Sequence, residues 1–175
     1  ASDVYKRQAY DTAVSLYPLD IFAAQALTLS IQRYGQNERT LFSFLEATGQ
    51  GSLHHFKENG NTTYSLADVY DYDIYNFYSY LSEVNADSTA WTAIRVSLER
   101  VESLFEGETA TDAMKLIKTI GMFHLFGKAG VQFNKEKLTE YAKFALGIDN
   151  PVSVIELLTQ HKIIRYATYK SQYIL

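Results

Sequence analysis

Apolar positions recur at threes and fours along most of this chain, which predicts helices; only the C-terminal end shifts to β-branched and aromatic runs. Pro18 opens a first helix, as its fixed φ allows, and Phe22, Ala26, Leu29 and Tyr34 carry it to about Arg33. Gly35 can end it in a left-handed cap. Asn37 suits the N-cap of a second helix with Leu41, Phe44 and Leu45. Gly49-Gln50-Gly51 breaks the chain, and Ser52 opens a short helix to Lys57 before a polar loop over 58–63. Ser65 and Asp68 have capping-box spacing, and Leu66, Val69, Tyr70, Ile74, Phe77, Tyr78, Leu81 and Val84 behind them predict a long amphipathic helix. Asp87 caps the next, with Trp91, Ile94, Leu98, Val101 and Phe105 on one face. Thr109 and Asp112 suggest another capping box ahead of Leu116, Ile117, Ile120 and Phe123, in a helix ending at Gly127.

The last third changes character. Its pattern predicts helices over about 110–126, 135–146 and 151–161, the second between an Asn134 cap and a Gly147 stop, the third opened by Asn150-Pro151 with Val154, Leu157 and Leu158 inward. Ile163-Ile164-Arg165-Tyr166-Ala167 and Gln172-Tyr173-Ile174-Leu175 flank a short polar turn and predict a hairpin. Three helices and a hairpin are the order of a winged helix-turn-helix. The expected fold is mainly α: a helical bundle over 9–107, then a winged helix-turn-helix with a C-terminal β-hairpin over 108–175.

Residues 1–8, Ala-Ser-Asp-Val-Tyr-Lys-Arg-Gln, resemble the translation of a transposon-end adapter used in DNA sequencing libraries and are set aside from the fold. Setting them aside removes one acid and two bases and takes the formal charge from −4 to −5. Residues 172–175 stop inside an apolar run, so the chain reads as an internal piece of a longer protein, truncated at the C-terminus.

Composition narrows the classes. At 47% hydrophobic, with 2 Pro and 9 Gly, the chain is neither disordered nor low-complexity. Cysteine is absent, which removes disulfides, thiolate nucleophiles and cysteine-ligated zinc and fits a cytoplasmic setting. The small negative charge gives no global bias toward nucleic acid or anionic membrane. The longest uncharged run, Ile21 to Gln32, falls short of the roughly 20 residues that cross a bilayer.

Enzymatic signatures are missing. Gly127-Lys128 is followed by Ala129, and Met122 stands where a phosphate-binding loop has its first glycine. No His-Glu-x-x-His, Gly-x-Ser-x-Gly or dinucleotide fingerprint occurs. His54 and His55 are adjacent and would point about 100° apart on a helix, so they read as surface histidines, and Glu58 falls where that helix frays. His124 reads as the edge of a core, Asp68 as a cap, and Asp71 and Asp73 as the solvated side of their helix. No catalytic residue and no metal site is assigned.

Two surfaces stand out. Tyr70, Tyr72, Tyr75, Tyr78 and Tyr80 crowd the helix over 66–84; Tyr70 and Tyr78 fall in its apolar stripe, the others partly outside, a pattern that fits ordinary core with half-buried rings and also suits a protein contact. In the winged-helix segment, the last helix turns Ser153, Glu156, Thr159 and Gln160 outward. The wing supplies Lys162, Arg165 and Lys170, and the preceding helix Lys135, Lys137 and Lys143. Lys162, Arg165 and Lys170 are the candidate contacts to DNA or to a protein partner. Glu156 and the lack of Arg or Lys before Lys162 favour protein.

One stretch is more specific. Tyr17-Pro18-Leu19-Asp20, followed by Gln36-Asn37-Glu38-Arg39-Thr40-Leu41-Phe42, resembles a block in large bacterial P-loop ATPases of the AAA+ class, including ATPase components of BREX-type phage-resistance islands. The usual block is similar to Tyr-Pro-Leu-His-Pro, a helix, then Gln-Asn-Glu-Arg-Thr/Ser-Leu-Phe; here Asp20 replaces the histidine and Ile21 the second proline. Residues 115–126 and 163–175 also look like that family. The resemblance implies a helical lid and winged helix following an upstream nucleotide-binding core, with ATP and magnesium bound by that core and no cofactor held here. It implies a nucleotide-sensing role for Arg39, supported by Gln36, Asn37 and Glu38. A guanidinium is always charged, and its rigid fork matches phosphate oxygens.

Overall fold

Asp20 sets the first helix: its carboxylate accepts from the Ala23 backbone N–H at 2.9 Å and caps α1, Ile21–Tyr34. The computed structural model describes Asp3 and residues 20–35, 63–127 and 130–175. Pro18 and the helices expected around Asn37 and Ser52 lie outside the described residues. The chain divides into two compact units, Ala1–Asn85 and Ala86–Leu175.

In the first unit α1 packs on α2, Leu66–Ser82. Ala23, Ala24, Ala26, Leu27, Ser30, Ile31 and Tyr34 form the buried stripe of α1. Gly35 has φ −77°, so no left-handed cap forms; its N–H donates to the Ile31 carbonyl within an extended exit. Asp68 reaches back to the Ser65 N–H at 2.8 Å and to the Ser65 hydroxyl at 3.0 Å, the carboxylate half of the expected box.

The α2 stripe differs from expectation. Leu66, Ala67, Val69, Tyr72, Asp73 and Phe77 are buried, whereas Tyr78 is 66% and Val84 99% exposed. Val84 lies past the C-cap Glu83, and a kink at Phe77 (φ −118°, ψ 18°) re-phases the last turn and turns Tyr78 out. Beside it the Asn76 side-chain amide donates to the Tyr72 carbonyl at 2.9 Å, a side-chain intrusion on the backbone ladder of the kind that bends helices. Tyr34 packs at 5.3 Å from Tyr80 and 6.1 Å from Phe77 between ring centroids, holding the kinked end of α2 on α1.

The second unit begins with α3, Ser88–Leu104, which presents Trp91, Ile94 and Val101 to α4, Gly107–Phe126. Asp87 occupies the N-cap position of α3 without a side-chain capping bond. The helix read as belonging to the bundle over 9–107 therefore packs with the C-terminal segment. The expected Thr109–Asp112 box is also corrected: α4 starts earlier, and Gly107 at φ +63° makes the turn into it. Gly121 faces Ile94, and a Cβ there would overlap that side chain, so the glycine permits the close α3–α4 crossing.

Asn134 caps α5, Lys135–Phe144, through the Lys137 N–H at 2.9 Å, and Gly147 at φ +67° ends that turn as expected. Lys115 on α4 donates to the Leu146 carbonyl at 3.3 Å just beyond it. Asn150 and Pro151 open α6, Pro151–Gln160. Strands β1, Arg165–Ala167, and β2, Gln172–Ile174, pair antiparallel with Tyr166 opposite Tyr173. Tyr173 N–H donates to the Phe133 carbonyl at 3.0 Å, which ties the hairpin to the segment before α5. Phe123 and Phe133 stack at 4.0 Å beneath that junction. The protein is mainly α with a C-terminal β-hairpin, and its last elements follow the order of a winged helix-turn-helix.

Candidate functional site

The wing begins where α6 ends. Lys162 takes φ +56°, a left-handed conformation uncommon for a side chain with a Cβ. Arg100 of α3 stabilises this turn. Its guanidinium donates to the His161 carbonyl at 2.8 Å and to the Lys162 carbonyl at 3.1 Å. Both carbonyls lie at the end of α6, where the helix dipole favours a cation. Phe105 meets the His161 ring edge-on at 5.2 Å. Sequence reasoning did not single out Arg100; its place one position before the inward Val101 was the available sign that it could reach past the core face.

The three wing cations are placed differently from one another. Lys162 is exposed, with its backbone clasped by Arg100. Arg165 is exposed on β1, opposite Ile174 in the register. Lys170 is half-buried in the β1–β2 turn, with its ammonium 5.8 Å from the Tyr169 ring centroid. It also lines a cavity of about 370 Å³ with Ala90, Gly121, His124, Leu125 and Ile174. Neither Lys162 nor Arg165 lines that cavity. Burial, then the Lys170 charge, pushes the His124 pKa below its usual value and favours the neutral imidazole.

The outward face of α6 carries Ser153, Glu156, Thr159 and Gln160, all exposed, as expected. Tyr166 and Tyr173 make an edge-to-face pair at 5.2 Å on the hairpin. Burial first, then Tyr166, then Glu156, raises the Tyr173 pKa. An acid therefore acts on the wing from the helix that would read a DNA groove. Lys135, Lys137 and Lys143 are exposed on α5. This surface mixes aromatic rings, amides and both charge signs, a composition suited to protein contact.

In the first unit Asp73 is completely buried, which corrects its reading as a solvated residue; Asp71 is exposed as expected. Asp73 lies seven positions after Leu66 and four before Phe77, so the buried stripe itself was the signal that could have found it. Tyr72, only 5% exposed, is likewise part of the core. Its hydroxyl pKa is pushed up to about 12, by burial first and then by Asp73. Tyr75, Tyr78 and Tyr80 are exposed on α2.

Arg39, Gln36, Asn37 and Glu38 lie outside the described residues, as do His54, His55 and Glu58. Among the described residues no group of three His, Asp or Glu side chains is arranged to hold a metal, and no helix is long and apolar enough to cross a membrane. Compared with family models, curated proteins and solved structures, the chain matches none.

Proposed function

We propose that this chain is a non-catalytic segment of a multidomain ATP-binding protein of the P-loop, AAA+ type. It would couple nucleotide state to domain movement through a helical lid and a winged helix, in a cytoplasmic setting. The observation that carries this reading is the Gln36-Asn37-Glu38-Arg39-Thr40-Leu41-Phe42 stretch in a chain whose last elements are three helices and a hairpin. In this reading the upstream core of the same protein binds ATP and magnesium, and Arg39 approaches the triphosphate from the lid. Lid orientation would then depend on the presence of the γ-phosphate. A surface ion pair of Arg39 with a nearby acid would contribute only about 0–1 kcal/mol and would leave turnover unchanged. The test is ATP hydrolysis by the full-length parent protein before and after Arg39→Ala. Loss of turnover or of nucleotide affinity supports the sensing role; unchanged values for both remove Arg39 from the site.

The winged helix then meets protein rather than DNA, a reading favoured by the cation-free outward face of α6 and by Glu156 on it. Tyr75 and Tyr78 supply a second protein-contact face in the lid-like unit.

A further inference from the structure

Ser30 and Asp73 pose a proton-counting problem inside the first unit. The Ser30 oxygen lies 3.0 Å from the Leu27 carbonyl oxygen and 2.9 Å from Asp73 Oδ1. A hydroxyl has one proton to give and two lone pairs to receive. Both neighbours are acceptors if Asp73 is ionised, so one proton would be shared between two bonds, each weakened. The second carboxylate oxygen, Oδ2, is buried and meets no hydrogen-bond donor among the described residues. An ionised carboxylate there would carry its charge in a dry site with half a donor.

One arrangement resolves both difficulties. We infer that Asp73 is held as a neutral carboxylic acid, donating its own O–H to Ser30, which passes its hydroxyl proton on to the Leu27 carbonyl, and that this proton ties the stability of the α1–α2 unit to pH. The chain of bonds then runs Asp73, Ser30, Leu27 with a donor and an acceptor at each link, and the remaining oxygen is an uncharged carbonyl.

The surroundings agree. From α1 the group facing Asp73 is Ser30; Tyr64, ahead of α2, and Tyr72, on α2 itself, both feel its charge, and their pKa values are raised. Asp68 and Asp71, on the same helix, act on Tyr64 and add negative potential to the neighbourhood. Among the described residues no Lys, Arg or His offsets the carboxyl, and burial holds its pKa well above the usual carboxylate range against the opposing Ser30 bond.

The sign follows from linkage. Because the folded state holds the proton more tightly than the unfolded one, the stabilisation is complete below the unfolded value of 3.8 and is lost as pH rises toward the folded value. Over that window the folded-to-unfolded ratio falls by up to about tenfold per pH unit.

The experiment is urea unfolding of the full chain across pH, read through backbone NMR signals of α1 and α2, for wild type and Asp73→Asn. Asparagine keeps the shape, donates to Ser30 through its amide and does not titrate. The wild type is expected to lose stability relative to Asp73→Asn as pH rises above about 4. A wild type that gains relative to the variant, or one that runs parallel to it, overturns the inference. Infrared spectroscopy of the wild type alone gives a second reading independent of the variant's folding. At about pH 5, just above the range where ordinary carboxylates ionise, a protonated carboxyl carbonyl band is expected, and its absence also overturns the proposal.

Discussion

Arg100 and Lys162 are 62 positions apart in sequence, yet the Arg100 guanidinium donates to the Lys162 carbonyl at 3.1 Å while its other arm holds the His161 carbonyl at 2.8 Å. Two consecutive carbonyls at a helix end are thus closed by one planar fork, and the hairpin leaves α6 in a fixed direction. Arg100→Ala should destabilise the second unit by about 1 kcal/mol, since the bonds are charge-assisted but solvent-exposed. Arg100→Lys should recover only part of this, because a single ammonium cannot reproduce the fork. Chemical denaturation of the two variants checks the order wild type, lysine, alanine; equal stability for all three would mean the clasp contributes nothing.

Gly121 and Ile94 make the second prediction. Gly121→Ala should gain up to about 1 kcal/mol of intrinsic helix preference. It should lose more, on the order of 1–3 kcal/mol, by forcing the fully buried Ile94 side chain off its position. The net effect is a lower melting temperature. Gly121→Ala should cost less in an Ile94→Ala background than in the wild type, because alanine lacks both the Cγ1 and the Cδ1 atoms that the new methyl would meet. An equal cost in both backgrounds would show that the crossing is limited elsewhere.

Asp20 was the weak point of the sequence resemblance, since it replaces the histidine of the usual block, and it has a local role as the α1 N-cap. Asp20→Ala should cost about 1 kcal/mol and Asp20→Asn much less, because an asparagine side chain can accept the same Ala23 N–H. Amide hydrogen exchange in the first turn of α1 reads the difference. Equal exchange in the alanine variant and the wild type would show that the cap is dispensable.

Helices and hairpin were legible because period and caps depend on neighbours in sequence: Asn134 and Asn150 cap where their spacing places them, and the outward face of α6 follows directly from its period. What was not legible depends on distant partners or on breaks in the period. The kink at Phe77 turns Tyr78 outward and the helix ends before Val84, and no proline or glycine announces either. Asp73 was read by its charge as solvated, although its position lies on the stripe of Leu66, Val69 and Phe77; a polar residue on an apolar stripe is buried when a partner such as Ser30 reaches it. Arg100 could not be linked to residues 161 and 162 before the fold brought them together. Of the candidate cations, Lys170 lines the His124 cavity while Lys162 and Arg165 lie exposed away from it, a separation that the fold sets and sequence spacing does not show.

His124 gives a pH prediction of opposite sign to that of Asp73. Its folded pKa lies below its usual value of 6.5, through burial first and the Lys170 charge second. The unfolded state therefore binds the proton more readily. The stabilising contribution is present above 6.5 and is lost as pH falls through the folded value. An NMR titration of the His124 ring should place its midpoint below that of an unfolded peptide. Lys170→Ala should move the midpoint upward part of the way, leaving the burial contribution. A midpoint unmoved by Lys170→Ala would separate the two side chains electrostatically.

The wing cations bound the salt dependence that the hairpin by itself can give to DNA binding. If Lys162, Arg165 and Lys170 all touched phosphates of a duplex, the logarithm of the binding constant would fall with the logarithm of salt at a slope of about −3 at most. Lys170 is half-buried at the cavity, so the slope should be shallower, and Glu156 on the outward face of α6 should weaken binding further. Salt-titrated binding of the full chain to random duplex DNA is expected to show weak affinity even at low salt. The Lys162→Ala, Arg165→Ala double variant should then differ little from the wild type. A steep salt slope that this variant removes would establish the wing as a DNA contact and would turn the winged helix from a protein-facing element into a nucleic-acid-facing one.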